Sequence, residues 1–94
     1  MQDLNDMLYF AEVVDQGGFA AAGRSLGIPK SRLSRRVAEL EAQLGARLLQ
    51  RTTRRVALTD AGDAFYRHCA AMREAARAAQ DAVAALQVAP GGLV

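Results

Sequence analysis

Apolar positions recur along the 94 residues at helical intervals, interrupted at a few glycines. From Leu4 to about Gln16, Leu4, Met7, Leu8, Ala11 and Val14 mark one stripe of a helix, which Phe10 and Val13 widen. Asp3 reads as its N-cap, and Asp6 sits near the positive N-terminal end, where a carboxylate is favourable. Gly17-Gly18 ends it. A short second helix runs from about Phe19 to Leu26, with Ala20, Ala21 and Ala22 small enough for close packing, and Gly27 closes it. Pro29 donates no hydrogen bond and so suits the start of a third helix. Two short helices joined by Gly-Ile-Pro-Lys have the form of a helix-turn-helix.

The third helix carries two distinct faces. At about 100° per residue, Leu33, Val37, Leu40 and Leu44 share one sector. Ser31 and Arg35 lie nearly opposite, Arg32 stands beside them, and Ser34 and Arg36 occupy the two borders. Lys30 is closer to the apolar edge, but in the first turn its long stem can reach past the helix end. The leucines dock the helix and its polar N-terminal half looks outward. Glu39, Glu41 and Gln43 follow in the C-terminal half, and Gly45 ends the helix.

Beyond it, Leu48-Leu49-Gln50-Arg51 and Arg55-Val56-Ala57-Leu58 flank a Thr-Thr-Arg tip that includes Thr53, a pattern for a small β-hairpin. Placed after a helix-turn-helix, such a hairpin is a wing, with Arg51, Arg54 and Arg55 at its tip. Thr59 caps a long last helix, with Asp60 and Asp63 in its first turn. Phe65, Cys69, Met72, Ala76, Ala79, Val83 and Leu86 alternate spacings of four and three, the seam of a coiled coil. The preceding residues are too few to cover roughly 40 Å of helix, so the stripe is read as a dimer seam. The fold class is mainly α: a winged helix-turn-helix of three helices and a short β-hairpin wing, followed by a long linker helix.

Charge adds to this picture. The net charge of +2 conceals an asymmetry. Residues 1–23 hold four acids and no base, residues 24–55 hold nine bases and two acids, and residues 56–94 hold three bases and four acids. A central block of net +7 between acidic flanks is the footprint of a polyanion-binding surface. The rival reading is a helical, dimeric protein-interaction module whose basic face meets an acidic partner. Against it, the bases cluster at 30–36 and 51–55 and not beside the heptads.

Other function classes find little support. No residue before Arg24 is basic and no apolar run approaches a membrane span of roughly 18 residues, so neither a signal peptide nor a membrane anchor is expected, which points to the cytoplasm. Cys69 is the single cysteine and His68 the single histidine. Neighbours on a helix diverge by about 100°, so the two make a poor nucleophile–base pair, and the chain is not expected to be an enzyme. His68 reads as surface, and Cys69 as a buried thiol in the seam. Metal ligands are too few, there is no glycine-rich phosphate loop, and no cofactor is expected.

The motifs occur in a telling order. Gly-Gly-Phe-Ala-Ala-Ala, Leu-Gly-Ile, Lys-Ser-Arg-Leu-Ser-Arg-Arg-Val and Glu-Leu-Glu are followed by Leu-Gly, Arg-Leu-Leu-Gln-Arg-Thr-Thr-Arg-Arg and Leu-Thr-Asp-Ala-Gly. From residue 4 to about 90 this resembles the N-terminal domain of LysR-type transcriptional regulators. The resemblance implies a DNA-binding domain over 1–58, a linker and dimerisation helix over 59–88, and a hinge over 89–94 toward an effector-binding domain outside this chain. It further implies a homodimer formed by antiparallel linker helices on an interrupted palindrome of double-stranded DNA. A small co-inducer would act only through the domain outside the chain. Another winged-helix regulator class would differ in whether the long helix pairs antiparallel.

By position, the resemblance puts Lys30, Ser31 and Arg32 at base edges, and Ser34 and Arg35 against bases and phosphates. Arg51, Arg54 and Arg55 fall at wing positions near the backbone or minor groove. The chain departs from the family pattern at Gly18 and Ala20, where hydroxyl residues are usual, and at Pro29, Lys30, Arg32 and Leu49. An α-helix fits the major groove and its N-terminal residues reach base edges. Arginine's planar fork can pair bidentately with guanine, while lysine is a flexible point donor. Arg32 and Lys30 are therefore read as base contacts, and Arg35, Arg36, Arg54 and Arg55 as phosphate contacts.

Overall fold

The computed structural model describes residues 3–50 and 55–88, except the side chain of Val88. Among these residues are four helices: α1 over Leu4–Gln16, α2 over Phe19–Leu26, α3 over Lys30–Leu44 and α4 over Asp60–Val88. The caps explain the boundaries. The Asp3 carboxylate accepts from the Asn5 N–H at 2.9 Å, and the Thr59 hydroxyl accepts from the Gly62 N–H at 2.9 Å. Each satisfies a backbone donor that has no partner within its helix. Between α2 and α3 the chain turns at Gly27, whose φ of 73° is a left-handed conformation costly for a residue with a Cβ. The N–H groups of Gly27 and Ile28 both return to the Gly23 carbonyl.

Among the described residues α1 packs against all three other helices, and α2 also packs on α3. The core gathers Phe10, Ala11 and Val13 from α1, Ala22 from α2, and Leu33, Val37 and Leu40 from α3. Leu48, Leu49 and the Cys69 of α4 complete it. The buried face of α1 keeps Ala11 of the expected stripe but is shifted toward the two residues that widen it. It centres on Phe10 and Val13 and takes in Asp6, whereas Leu4 is 51% exposed and Met7, Leu8 and Val14 are half-buried. Three helices surround α1, so their positions choose its inner face, and Leu4 in the first turn lies beyond them.

α3 and α4 make no close backbone approach of their own among the described residues; Leu48 fills the gap. Its N–H and that of Leu49 donate to the buried Glu41 carboxylate at 2.8 and 3.1 Å. Its carbonyl faces Gly62, where a Cβ would lie 2.0 Å from the oxygen. The sequence alone places Glu41 beside Glu39 and Gln43 in the C-terminal half of the helix and assigns Gly62 no role. Glu41 instead holds the segment after α3, and Gly62 lets α4 cross it.

The two arms expected to form a hairpin pair through one antiparallel bridge, Leu49 with Leu58. The Gln50 N–H donates to the Ala57 carbonyl at 2.9 Å and the Thr59 N–H to the Leu48 carbonyl at 3.0 Å. No longer strand forms among the described residues, and the expected tip, with Arg51, Thr53 and Arg54, lies outside them. The expected hinge over 89–94 also lies outside.

The long stripe on α4 requires a correction. Cys69 is wholly buried by its own chain, and Phe65 packs on Phe10 with ring centroids 5.8 Å apart. Cys69 therefore has no surface left for a partner subunit. Met72 is half-buried, and Ala76, Ala79, Val83 and Leu86 are exposed.

Candidate nucleic-acid interface

The leucine stripe of α3 sets what the helix presents. Leu33, Val37 and Leu40 are buried, so the opposite side, with Ser31 and Arg35, faces solvent. Lys30 and Arg32 are also exposed, and Ser34 is half-buried at one border. Among the described residues Lys30, Arg32 and Arg35 form no ion pair. Three cations and two hydroxyls thus occupy the first turn and a half of a helix whose base is fixed in the core. Arg55 is exposed where the chain returns toward α4.

Arg36, on the other border, behaves differently. Its Nε donates to Asp6 Oδ1 at 2.7 Å and a terminal nitrogen donates to Asp3 Oδ2 at 3.0 Å. Its guanidinium carbon stands 5.7 Å from the centre of the Tyr9 ring. The Asp6 hydrogen bond is the main reason its pKa is raised above the ordinary arginine value. The sequence reading gave Arg36 to phosphate; the structure turns it back onto α1. A signal was present: Asp6 lies on the helical face of Phe10 and Val13, and a carboxylate in such a row calls for a cation.

At the far end of α1, Asp15 accepts from the Tyr66 hydroxyl and from Arg73 at 2.6 Å, tying α4 to the same central helix. Burial pushes the Cys69 thiol up to about 11, so at neutral pH it is protonated and packs as an apolar group. An open apolar groove of about 400 Å³ runs between Leu44, Leu48, Ala61, Ala64, Phe65 and His68. No helix among the described residues is long and apolar enough to cross a membrane.

Comparison with known proteins agrees with this geometry. The family described as "Bacterial regulatory helix-turn-helix protein, lysR family" matches residues 4–63. A protein of Xanthomonas campestris pv. campestris named an HTH-type transcriptional regulator is 53% identical over 90 residues, which cover 96% of this chain and 26% of that protein. Probable HTH-type transcriptional regulator LtrA of Klebsiella pneumoniae is 46% identical over 89 residues, covering 95% and 29%. The chain thus spans less than a third of the length of these relatives. Among solved structures, the BenM_DBD/benA site 1 DNA complex superposes with a TM-score of 0.83 at 28% identity, covering 94% of this chain and 99% of that one. CrgA from Neisseria meningitidis, a LysR-type transcriptional regulator, gives 0.77 at 32% identity, covering 93% and 30%. With the exposed cationic face of α3, these matches lead to one conclusion: the chain belongs to the LysR family and carries the helix-turn-helix DNA-binding domain of a bacterial transcriptional regulator.

Proposed function

We propose that this domain reads double-stranded DNA as a homodimer, with α3 of each subunit in the major groove of one half of an interrupted palindrome. Lys30 and Arg32 reach base edges, Ser31 and Ser34 allow close approach, and Arg35 binds phosphate. Arg51, Thr53, Arg54 and Arg55 lie on the backbone or in the minor groove, as a wing. A co-inducer acts through a domain outside this chain, and the regulator works in the cytoplasm. The observation that carries this reading is the exposed first turn and a half of α3 above its buried leucines. The DNA complex of the BenM domain, a structural relative, supports it.

The dimer is read from the exposed part of α4. Antiparallel pairing about Ala76 would set Leu86 of one subunit opposite Phe65 of the other, at the height of the apolar groove beside Phe65 and His68. Val83 and Leu86, 55% and 79% exposed, would there find cover.

Salt tests the proposal. A dimer contacting roughly eight phosphates loses affinity with a log–log slope of about −7. Arg32→Ala relaxes discrimination at one base position by about 1–3 kcal/mol, while Arg54→Ala weakens all sequences alike. A slope near zero, or no binding to random DNA at low salt, discards the reading in favour of an acidic protein partner.

A further inference from the structure

We infer that Arg36 is a positioning residue for α3 and not a phosphate ligand: its ion pairs with Asp6 and Asp3 set the angle at which Lys30, Arg32 and Arg35 leave the domain. The inference rests on the proposed groove reading of α3 and assigns a further residue to it.

The contacts of Arg36 come from one ridge of α1. Asp3, Asp6 and Tyr9 follow at intervals of three, and the guanidinium meets each of them. Asp6 has a side chain only 7% exposed, so its charge has little water to turn to, and Arg36 is its ion-pair partner. A planar fork held at Nε and at a terminal nitrogen cannot swivel as a lysine ammonium can. α3 therefore cannot roll on α1 without breaking this grip. The leucine stripe gives α3 its buried face, but apolar contact is not directional and tolerates small rotations.

The size of such a rotation matters. At a side-chain radius of roughly 5–6 Å, a roll of about 10° moves a tip on the opposite side by about 1 Å. Protein hydrogen bonds span donor–acceptor distances of only about 2.7–3.2 Å, so a shift of that size separates a matched base contact from a lost one. Arg32 stands one turn before Arg36 on α3, and Arg35 is its neighbour. The residues proposed to read DNA are those whose placement the grip controls.

The experiment uses the 94-residue chain with two probes: the duplex that the wild type enriches from a random pool, and a random duplex. Affinity ratio and salt slope are measured for the wild type, Arg36→Lys, Asp6→Asn and the double variant, with circular dichroism confirming folding at the assay temperature. Arg36→Lys keeps the charge and loses the fork; Asp6→Asn keeps the shape and releases the ion pair at Nε, leaving only the outer one to Asp3. Positioning predicts that each lowers the ratio roughly tenfold, the worth of about one bidentate base contact. The salt slope stays unchanged, and the double variant is no worse than the more damaging single one.

If Arg36 is a phosphate ligand, Asp6→Asn instead raises affinity for both duplexes and steepens the slope by about two, one for each subunit. Arg36→Lys then leaves the ratio intact, and that pair of results overturns the inference. Should Asp6→Asn melt below the assay temperature, Asp3→Asn decides in its place. It preserves the cap, since asparagine caps as well as aspartate, and removes only the outer ion pair. A lowered ratio supports positioning, and an unchanged ratio overturns it. A wild type that cannot tell the two duplexes apart fails the groove reading itself, and the inference with it.

Discussion

The two halves of α4 carry the same heptad stripe and meet opposite environments. In the first half Gly62 and Cys69 are buried, Phe65 lies against Phe10, and Tyr66 and Arg73 converge on Asp15. From residue 74 to residue 87 every side chain is exposed, and the ion pair of Arg77 with Glu74 is local to the helix. The first half is held by α1. The second is held as a monomer mainly by its own alanine-rich helix propensity, and surface ion pairs of that kind contribute little. A continuous stripe thus marks which positions want cover, without saying which partner supplies it.

The sharpest way to break the comparison is at the glycine. Gly62→Ala pushes a Cβ toward the Leu48 carbonyl, 2.0 Å from its ideal position, and is expected to cost about 3 kcal/mol or more. Ala79→Gly in the second half costs only about 1 kcal/mol. Thermal melts followed by circular dichroism rank the two directly.

Next come the apolar residues. Phe65→Ala is expected to lower stability in urea by about 3 kcal/mol, whereas Leu86→Asp changes monomer stability by less than about 0.5 kcal/mol. Sedimentation at micromolar concentration reverses the order of interest: Leu86→Asp dissociates the proposed dimer. A dimer unmoved by Leu86→Asp would place the interface elsewhere. A smaller effect is expected at Asp15→Ala, which removes the shared acceptor of Tyr66 and Arg73 and costs about 1 kcal/mol in the same urea titration.

The smallest effect is alkaline. Folding raises the Cys69 thiol from 9.0 to about 11 through burial, so the folded state holds a proton that the unfolded chain releases first. The stability from this group is complete below pH 9 and is lost as pH rises toward 11. Tyr66, also raised, chiefly by its hydrogen bond to Asp15, acts in the same direction. Cys69→Ala should flatten part of that decline, and a thiol reagent at pH 8 should modify the native chain far more slowly than the urea-unfolded one.

Part of this architecture is legible in the sequence. Asp3 and Thr59 announce helix starts, Gly27 and Gly45 announce helix ends, and all four behave accordingly. The two faces of α3 also follow from periodicity, down to Ser34 and Arg36 at the half-buried borders. What periodicity leaves out falls at borders and at close approaches. Arg36 and Arg35 are adjacent and of the same residue type, yet Asp6 and Asp3 engage one of them. Glu41 stands among exposed acids in the sequence, yet two backbone N–H groups claim it.

The chain alone determined its helices, its order of elements, its cationic prow on α3 and its family, because caps and helical periodicity act within about four residues. Which arginine is engaged within the domain, which half of the α4 stripe is covered and which glycine admits a crossing backbone were decided only in three dimensions. Each of these depends on a contact between segments far apart in the chain, such as Asp6 with Arg36 or Leu48 with Gly62. A local pattern can record that a side chain sits on a border, but the group facing it across the border exists only once the helices have packed.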